Sequence, residues 1–181
     1  MLIYLLIEKR FEMTQLVCGN IVALIASTLM VCSGITKDRK KTIYIQTIQI
    51  IAFVISNLIL GGYTGAIVNF LSLARNYWCY KDSLTKIKKA ILIILSIALS
   101  LLFNNLGLIG LLPIIASVVF ICFIDTKSII KLKILIAFTC ILWLIHDTLL
   151  GSYTSAIFNF FTILGALITI YQISRKKRSK K

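Results

Sequence analysis

Proline, histidine and acidic residues are scarce in this sequence, and the shortage limits the chemistry that the chain can perform. Its 181 residues include one proline, one histidine and six acidic residues. We find no nucleophile at base spacing, no glycine-rich phosphate loop and no pair of carboxylates within an apolar run. A membrane enzyme usually buries charged catalytic groups inside its bundle. We therefore expect a protein that is not an enzyme and that needs no cofactor.

The five cysteines give no sign of a metal or redox site. They lie within apolar runs, without a CxxC pair and without a histidine at ligand spacing: Cys18, Cys32, Cys79, Cys122 and Cys140. Isolated cysteines in such runs are usually buried, unreactive thiols. We predict no bound metal.

Charged residues are also few, and they are clustered. They make up 14% of the chain, whereas soluble domains contain about a quarter. Apolar residues make up 59%, and the runs between charges match the ~17–25 residues that cross a bilayer as a helix. The sequence therefore predicts one integral membrane domain over residues 1–181, with the lipid bilayer as its main partner.

Seven apolar runs are separated by charged or glycine-bearing breaks. They cover roughly 14–35, 43–60, 62–80, 89–104, 106–124, 132–150 and 152–173. Very short breaks at Gly61-Gly62, Gly151-Ser152 and Asn104-Asn105 predict tight turns. We predict an all-α bundle of seven transmembrane helices.

The basic residues lie on one side of this arrangement. Seventeen of the 20 occur in alternate loops and at the C-terminal end. The net charge of +14 raises the question of nucleic-acid binding. Nucleic-acid binding requires a basic face on a soluble surface, whereas short basic loops between spans mark the cytoplasmic side. We expect a multi-pass protein of the bacterial plasma membrane, with its N-terminus outside, its C-terminus cytoplasmic and no nucleic-acid partner.

The sequence contains an internal repeat with a period of 90 residues. Residues 16–75 align with 106–165 without a gap and are identical at 18 of 60 positions, and "GGYTGAIVNF" at 61–70 matches "GSYTSAIFNF" at 151–160. We predict repeat 1 at about 14–80, a linking helix at about 86–104, repeat 2 at about 106–173 and a basic cytoplasmic tail at 174–181. Because one helix joins two three-helix units, the units are parallel and their relating axis follows the membrane normal.

This layout resembles the SWEET sugar transporters. In that family an asparagine from the third helix of each repeat contributes to the pocket, and the resemblance places Asn69 and Asn159 at the matching positions. SWEETs also carry prolines in the first two helices of each repeat, whereas this chain has only Pro113, which aligns with Ala23. The proline-hinged motion of that family is therefore not implied.

A second resemblance is closer at the level of residues. Two segments are similar to the first half of the YgjV family of bacterial inner-membrane proteins: "KDRKK" at 37–41 and "LGGYTGAIVNFLSLARN" at 60–76. The resemblance implies location and fold rather than an activity. It also places the usual start of that family near Met13, which favours initiation there over Met1; the alternative is that residues 1–12 lie along the membrane surface.

Helical spacing puts small and polar residues on one face of the third and seventh predicted helices. Two interpretations are open: the faces bind a polar ligand, or they only allow helices to approach and bond to each other. The candidate ligand-binding residues are Asn69, Ser72 and Asn76 on the third helix, Asn159 and Thr162 on the seventh, and Asn20 on the first.

Four further residues are weaker candidates for gating or coupling: Arg75, Trp143, His146 and Asp147. For His146 and Asp147 we favour an outer-surface helix cap, because adjacent side chains on a helix project about 100° apart. For Trp143 we favour an interfacial aromatic. For Arg75 we favour a side chain that reaches the cytoplasmic surface; the alternative is a gate or a contact with an anionic ligand.

The resulting hypothesis is a facilitator-like carrier with a central polar site between the third and seventh helices. Its ligand would be a small polar metabolite, and a second copy of the chain is a further partner that the sequence allows. The alternative is a membrane scaffold or sensor that transports nothing and uses its polar stripes only for helix packing.

Overall fold

The computed structural model describes the backbone of residues 2–178 and the side chains of residues 13–176, and seven α-helices account for most of this part. The helices are α1 (Leu2–Ile35), α2 (Arg39–Ile59), α3 (Tyr63–Tyr80), α4 (Lys86–Leu102), α5 (Leu111–Phe123), α6 (Ile129–Leu150) and α7 (Tyr153–Arg178). The predicted all-α fold is confirmed. Four helices have the length and apolar composition to cross a membrane: α1 from Met13, α2, α6, and α7 as far as Lys176.

α2 and α6 begin three to four residues earlier than predicted, and α4 begins at residue 86 as predicted for the linking helix, because capping residues start all three within the basic loops. Asp38, Thr85 and Ser128 each accept a hydrogen bond from the backbone N–H three residues later, at 2.7, 3.3 and 3.5 Å. Such caps satisfy one of the N–H groups that a helix start leaves unpaired. α7 likewise continues beyond the predicted boundary at 173, so most of the predicted tail is helical; residues 179–181 lie outside the described part.

The predicted start of the fifth helix at residue 106 is wrong, since α5 begins at Leu111. Asn104 folds the chain into a turn: its Oδ1 accepts from the N–H of Leu106 at 3.0 Å, and its Nδ2 donates to the Gly107 carbonyl at 2.8 Å. Gly107 has φ +57°. Pro113 lies in the first turn of α5, where its missing N–H costs no helical hydrogen bond.

The two predicted hairpins, α2–α3 and α6–α7, share one turn geometry. Gly61 and Gly151 adopt φ +73° and +82°, which glycine reaches without steric cost. In each hairpin the residue after this glycine, Gly62 or Ser152, donates its N–H to the carbonyl five residues earlier, that of Asn57 or Asp147, at 2.8 Å. Both tight turns are thus confirmed.

The helices form a ring. α1 packs against α2 and α7, α2 against α3, α3 against α5, α5 against α6, and α6 against α7. α4 packs outside this ring against α3 and α5.

Polar side chains fill the interior, and large apolar side chains cover the outside. Ser27, Thr64 and Ser96 are fully buried, whereas Phe70 and Leu108 are 64% and 83% exposed. This distribution suits a protein whose outer surface faces lipid, where interhelical contacts use small and polar residues. An apolar cluster that includes Ile43, Ile124 and Leu132, all fully buried, lies near the helix ends that carry the basic loops.

Candidate functional site

A cavity of about 90 Å³ lies inside the ring of helices. Side chains from α1, α2, α3, α5, α6 and α7 line it. A water needs about 10–15 Å³ of such volume, so the cavity admits several waters or one small molecule. Met30, Phe120, Ile136 and Cys140 belong both to its wall and to the apolar cluster, so the cluster adjoins the cavity.

Asn69 and Asn159, the pair singled out by the repeat, both line this cavity. Each lies six residues after the first residue of its helix, or ~9 Å along the axis at ~1.5 Å per residue. Asn159 donates to Asp147 Oδ2 at 2.9 Å, and its Oδ1 has no hydrogen-bond partner among the described side chains and backbone. Asn69 is 8% exposed and makes no hydrogen bond with any described residue.

Three amides of α2 also line the cavity, and they were absent from the sequence-based candidates. Gln46 and Gln49 are 6% and 7% exposed, and their Oε1 atoms have no hydrogen-bond partner within residues 13–176. Asn57 completes the set and donates its Nδ2 to the Phe53 carbonyl at 2.9 Å. At ~3.6 residues per turn these positions fall on one face of α2. That polar stripe on an apolar helix is the signal that could have identified them.

The unpaired amide oxygens of Gln46, Gln49 and Asn159 give the cavity a distinct chemical character. A buried acceptor without a partner costs about 1–3 kcal/mol. The three residues line the cavity, but these oxygens have almost no accessible surface, so a donor inside the cavity recovers this energy only after their side chains turn toward it.

Arg75 is buried in the cavity wall, and the expectation that it reaches the cytoplasmic surface is wrong. The side chain is 5% exposed. Its guanidinium lies 4.4 Å from the centre of the Phe120 ring, and its Nε and Nη2 donate to Asn76 Oδ1 at 3.0 and 2.9 Å. The aromatic ring and the amide stabilise the cation in place. Within residues 13–176, no carboxylate forms an ion pair with it.

His146 and Asp147 are also buried, which contradicts the predicted outer-surface cap. His146 is fully buried and Asp147 is 5% exposed. Although they are adjacent on α6, His146 Nδ1 lies 2.9 Å from Asp147 Oδ1. With the contact of Asp147 to Asn159, this makes a chain of three buried side chains. Asp147 lines the cavity, and His146 lies behind it.

Trp143, for which an interfacial position was the favoured interpretation, lines the cavity as well. The residue is partly buried, and its ring meets that of His146 edge-on, with centroids 5.4 Å apart. Ser72 lines the cavity as well, although its hydroxyl donates to the Val68 carbonyl at 2.7 Å.

Asn76, Thr162 and Asn20, the other candidates, lie outside the cavity wall. Asn76 holds Arg75. Thr162 donates to the Phe158 carbonyl at 2.8 Å and packs against α1 where Gly34 leaves room; a Cβ added to Gly34 would lie 3.1 Å from the Thr162 carbonyl oxygen.

Asn20 joins α1 to the start of α7. Its Oδ1 accepts from the N–H of Thr154 at 3.2 Å, and its Nδ2 donates to the Gly151 carbonyl at 3.4 Å. Asn20 thus forms hydrogen bonds between helices and does not line the cavity. Across residues 13–176, no three His, Cys, Asp or Glu side chains are grouped so that they could hold a metal ion.

An apolar outer surface, a polar interior and a central cavity define a multi-pass membrane protein. The family model for Imp-YgjV, described as a bacterial inner membrane protein, matches residues 17–177. The chain therefore belongs to the Imp-YgjV family, as the phrase at 60–76 indicates, and its location is the bacterial inner membrane. Neither the curated proteins nor the solved structures gave a match to this chain.

Proposed function

We propose that this protein is a facilitator-like carrier for small polar molecules, with all seven helices crossing the membrane. The observation that carries the proposal is the cavity shared by α3 and α7, whose buried amides include Asn69 and Asn159. Polar residues in the interior of a membrane bundle commonly mark a substrate pathway. The proposal involves no chemical step and therefore no catalytic group.

The helix contacts support an arrangement of two parallel units with α4 as the link. If α1–α3 are exchanged with α5–α7, the contact of α1 with α7 becomes the contact of α5 with α3, and both occur. The contacts within each unit, α1–α2–α3 and α5–α6–α7, also correspond. Carriers built from such repeats bind substrate at the repeat interface and move one unit against the other. The resemblance to the SWEET layout agrees with this proposal.

A second candidate function, a scaffold or sensor that transports nothing, also has an observation in its favour. Asn76, Thr162 and Asn20 make contacts within the protein rather than with the cavity. If Asn69 and Asn159 served the same purpose, their replacement would affect folding alone.

A metabolite screen on the purified protein separates the two functions. We expect at least one small polar metabolite to raise the melting temperature of the wild type, and the double variant Asn69→Leu/Asn159→Leu to fold but lose that shift. Asn105→Leu is the matched control, because Asn105 is exposed and lies outside the cavity. Uptake of the stabilising metabolite into proteoliposomes then tests transport itself.

The opposite pattern would favour the scaffold. A double variant that fails to fold, together with a wild type that responds to no metabolite, would contradict the carrier proposal. A metabolite that binds but does not enter proteoliposomes would favour a sensor.

A further inference from the structure

We propose that the cavity binds a small organic anion that also carries a hydrogen-bond donor, an amino or hydroxyl group. The anionic group would lie against Arg75, and the donor would bond to the carbonyl oxygens of Gln46 and Gln49. This inference rests on the proposed carrier function and specifies its substrate class.

The register of the α2–α3 hairpin brings Gln46, Gln49 and Arg75 to within about one helical turn of each other along the bundle. A Cβ added to Gly65 would lie 2.8 Å from Asn57 Oδ1, so position 57 of α2 faces position 65 of α3. Because the two helices are antiparallel, eight residues back along α2 correspond to about eight residues forward along α3. Gln49 therefore lies level with the segment between Ser72 and Arg75, and Gln46 lies about one turn deeper.

Arg75 requires an anion that the described part of the protein does not supply. Its Nε and Nη2 bond to the neutral amide of Asn76, and its Nη1 has no hydrogen bond to any residue from 13 to 176. Asp147, the carboxylate in the cavity wall, is already bonded to His146 and Asn159. A desolvated guanidinium binds carboxylates strongly because its fork of N–H groups matches their two oxygens.

Gln46 and Gln49 require the second feature of the ligand. Both oxygens are buried and unpaired, so a bare anion at Arg75 would leave them without a donor. A hydroxyl or ammonium group close to the carboxylate would satisfy them once the two side chains turn their oxygens toward the cavity. The cavity volume of about 90 Å³ is sufficient for a small acid.

A set of two-carbon compounds tests both requirements on the purified full-length protein. Glycolate and glycine carry an anionic group and a donor, acetate lacks the donor, and ethylene glycol and glycolamide lack the anion. Melting temperatures are measured against compound concentration, with potassium sulfate at equal ionic strength as the control and potassium chloride as a separate arm. We expect glycolate or glycine to stabilise the protein, acetate to do so less, and the uncharged compounds and chloride not at all.

Three substitutions connect this selectivity to the proposed residues. We expect Arg75→Gln to weaken binding of the stabilising acid by roughly tenfold or more, and Gln49→Leu to bring that acid and acetate to similar affinity. Arg175→Gln is the matched control, since it removes one positive charge from an exposed position on α7. If Arg75→Gln does not fold, the comparison among compounds on the wild type decides.

Several outcomes would overturn the inference. These are equal stabilisation by ethylene glycol, glycolamide or chloride, no response to any two-carbon acid, or equal effects of Arg75→Gln and Arg175→Gln. The carrier proposal is judged separately: a neutral metabolite whose effect depends on Asn69 and Asn159 would support it while contradicting the anion site.

Discussion

At the scale of single residues, Asp147 connects helix packing to the cavity. Its Oδ2 accepts a hydrogen bond from Asn159 Nδ2, and its Oδ1 lies within hydrogen-bond distance, 2.9 Å, of His146 Nδ1. We expect Asp147→Ala to lower the free energy of unfolding by about 3 kcal/mol, because it leaves both buried groups without a partner. The measurement is denaturant-induced unfolding in mixed micelles.

The control for this change is Asp125→Ala. Asp125 pairs with Lys89 at 2.8 Å but is half exposed, and exposed ion pairs contribute only about 0–1 kcal/mol. Asp147→Asn should recover part of the loss, because its amide can still bond to both neighbours. Equal effects of the two alanine substitutions would contradict the role assigned to Asp147.

The sequence predicted only part of the residues in the cavity wall. Asn69 and Asn159 were detectable because they repeat at corresponding positions. Gln46 and Gln49 align with Ile136 and Thr139 in the second half, so the repeat gives no sign of them.

Arg75 was assigned to the wrong environment for a different reason. The ring that stabilises it belongs to Phe120, 45 positions away in the sequence. Long-range contacts of this kind cannot be deduced from helical spacing.

At the scale of helices, the turn between α2 and α3 requires a particular residue, glycine, at position 61. Gly61 has a positive φ, and a Cβ added to it would meet nothing within 4 Å. Any cost of substitution there therefore comes from the backbone. We expect Gly61→Ala to destabilise the protein by about 1–2 kcal/mol, and Gly61→Asn by less, because asparagine tolerates the left-handed region. Thermal unfolding of the two variants in the same detergent provides the test, and a larger loss for asparagine would contradict it.

Helix type and number followed from the sequence, whereas several boundaries did not. Apolar runs reveal helices because a lipid-facing helix must be apolar over most of its surface. They do not reveal caps: Asp38 and Ser128 start helices inside basic loops. The start of α5 was predicted too early, because the residues after Asn104 are apolar, although hydrogen bonds of the Asn104 side chain keep them in a turn.

At the scale of the whole molecule, the distribution of charge predicts the orientation. The basic loops lie at one end, where Arg39 pairs with Asp82 at 3.2 Å and Lys89 pairs with Asp125 at 2.8 Å. The positive-inside rule puts this end in the cytoplasm. We expect a C-terminal fluorescent-protein fusion to fluoresce and an alkaline phosphatase fusion in the turn after Asn104 to be active.

A fusion in the loop between α3 and α4 is the control for this topology. It should lack phosphatase activity, because that loop lies at the basic end. An active phosphatase there, with an inactive one after Asn104, would mean that the orientation is reversed.

The basic end is also where a carrier with two moving units would have to open. Arg39, at the start of α2, joins the two proposed units: its Nε donates to the Thr126 carbonyl at 2.9 Å, across to the loop before α6. Its Nη1 and Nη2 donate to Asp82 Oδ1 at 3.2 Å and to Cys79 Sγ at 3.0 Å. Cys79 is 1% exposed. Arg39 therefore connects the units and covers a thiol.

Alkylation of Cys79 reports whether this connection opens. In a variant with the other four cysteines replaced by alanine, we expect Arg39→Gln to accelerate maleimide labelling of Cys79 several-fold, because the contact with Thr126 is lost. Lys40→Gln is the control, since Lys40 is exposed and lies 3.8 Å from the same Asp82. In the four-cysteine replacement variant that keeps Arg39, a ligand that stabilises the protein should change the labelling rate of Cys79. Equal rates for Arg39→Gln and Lys40→Gln, unaffected by ligand, would contradict movement of the two units at this end and would favour a static scaffold.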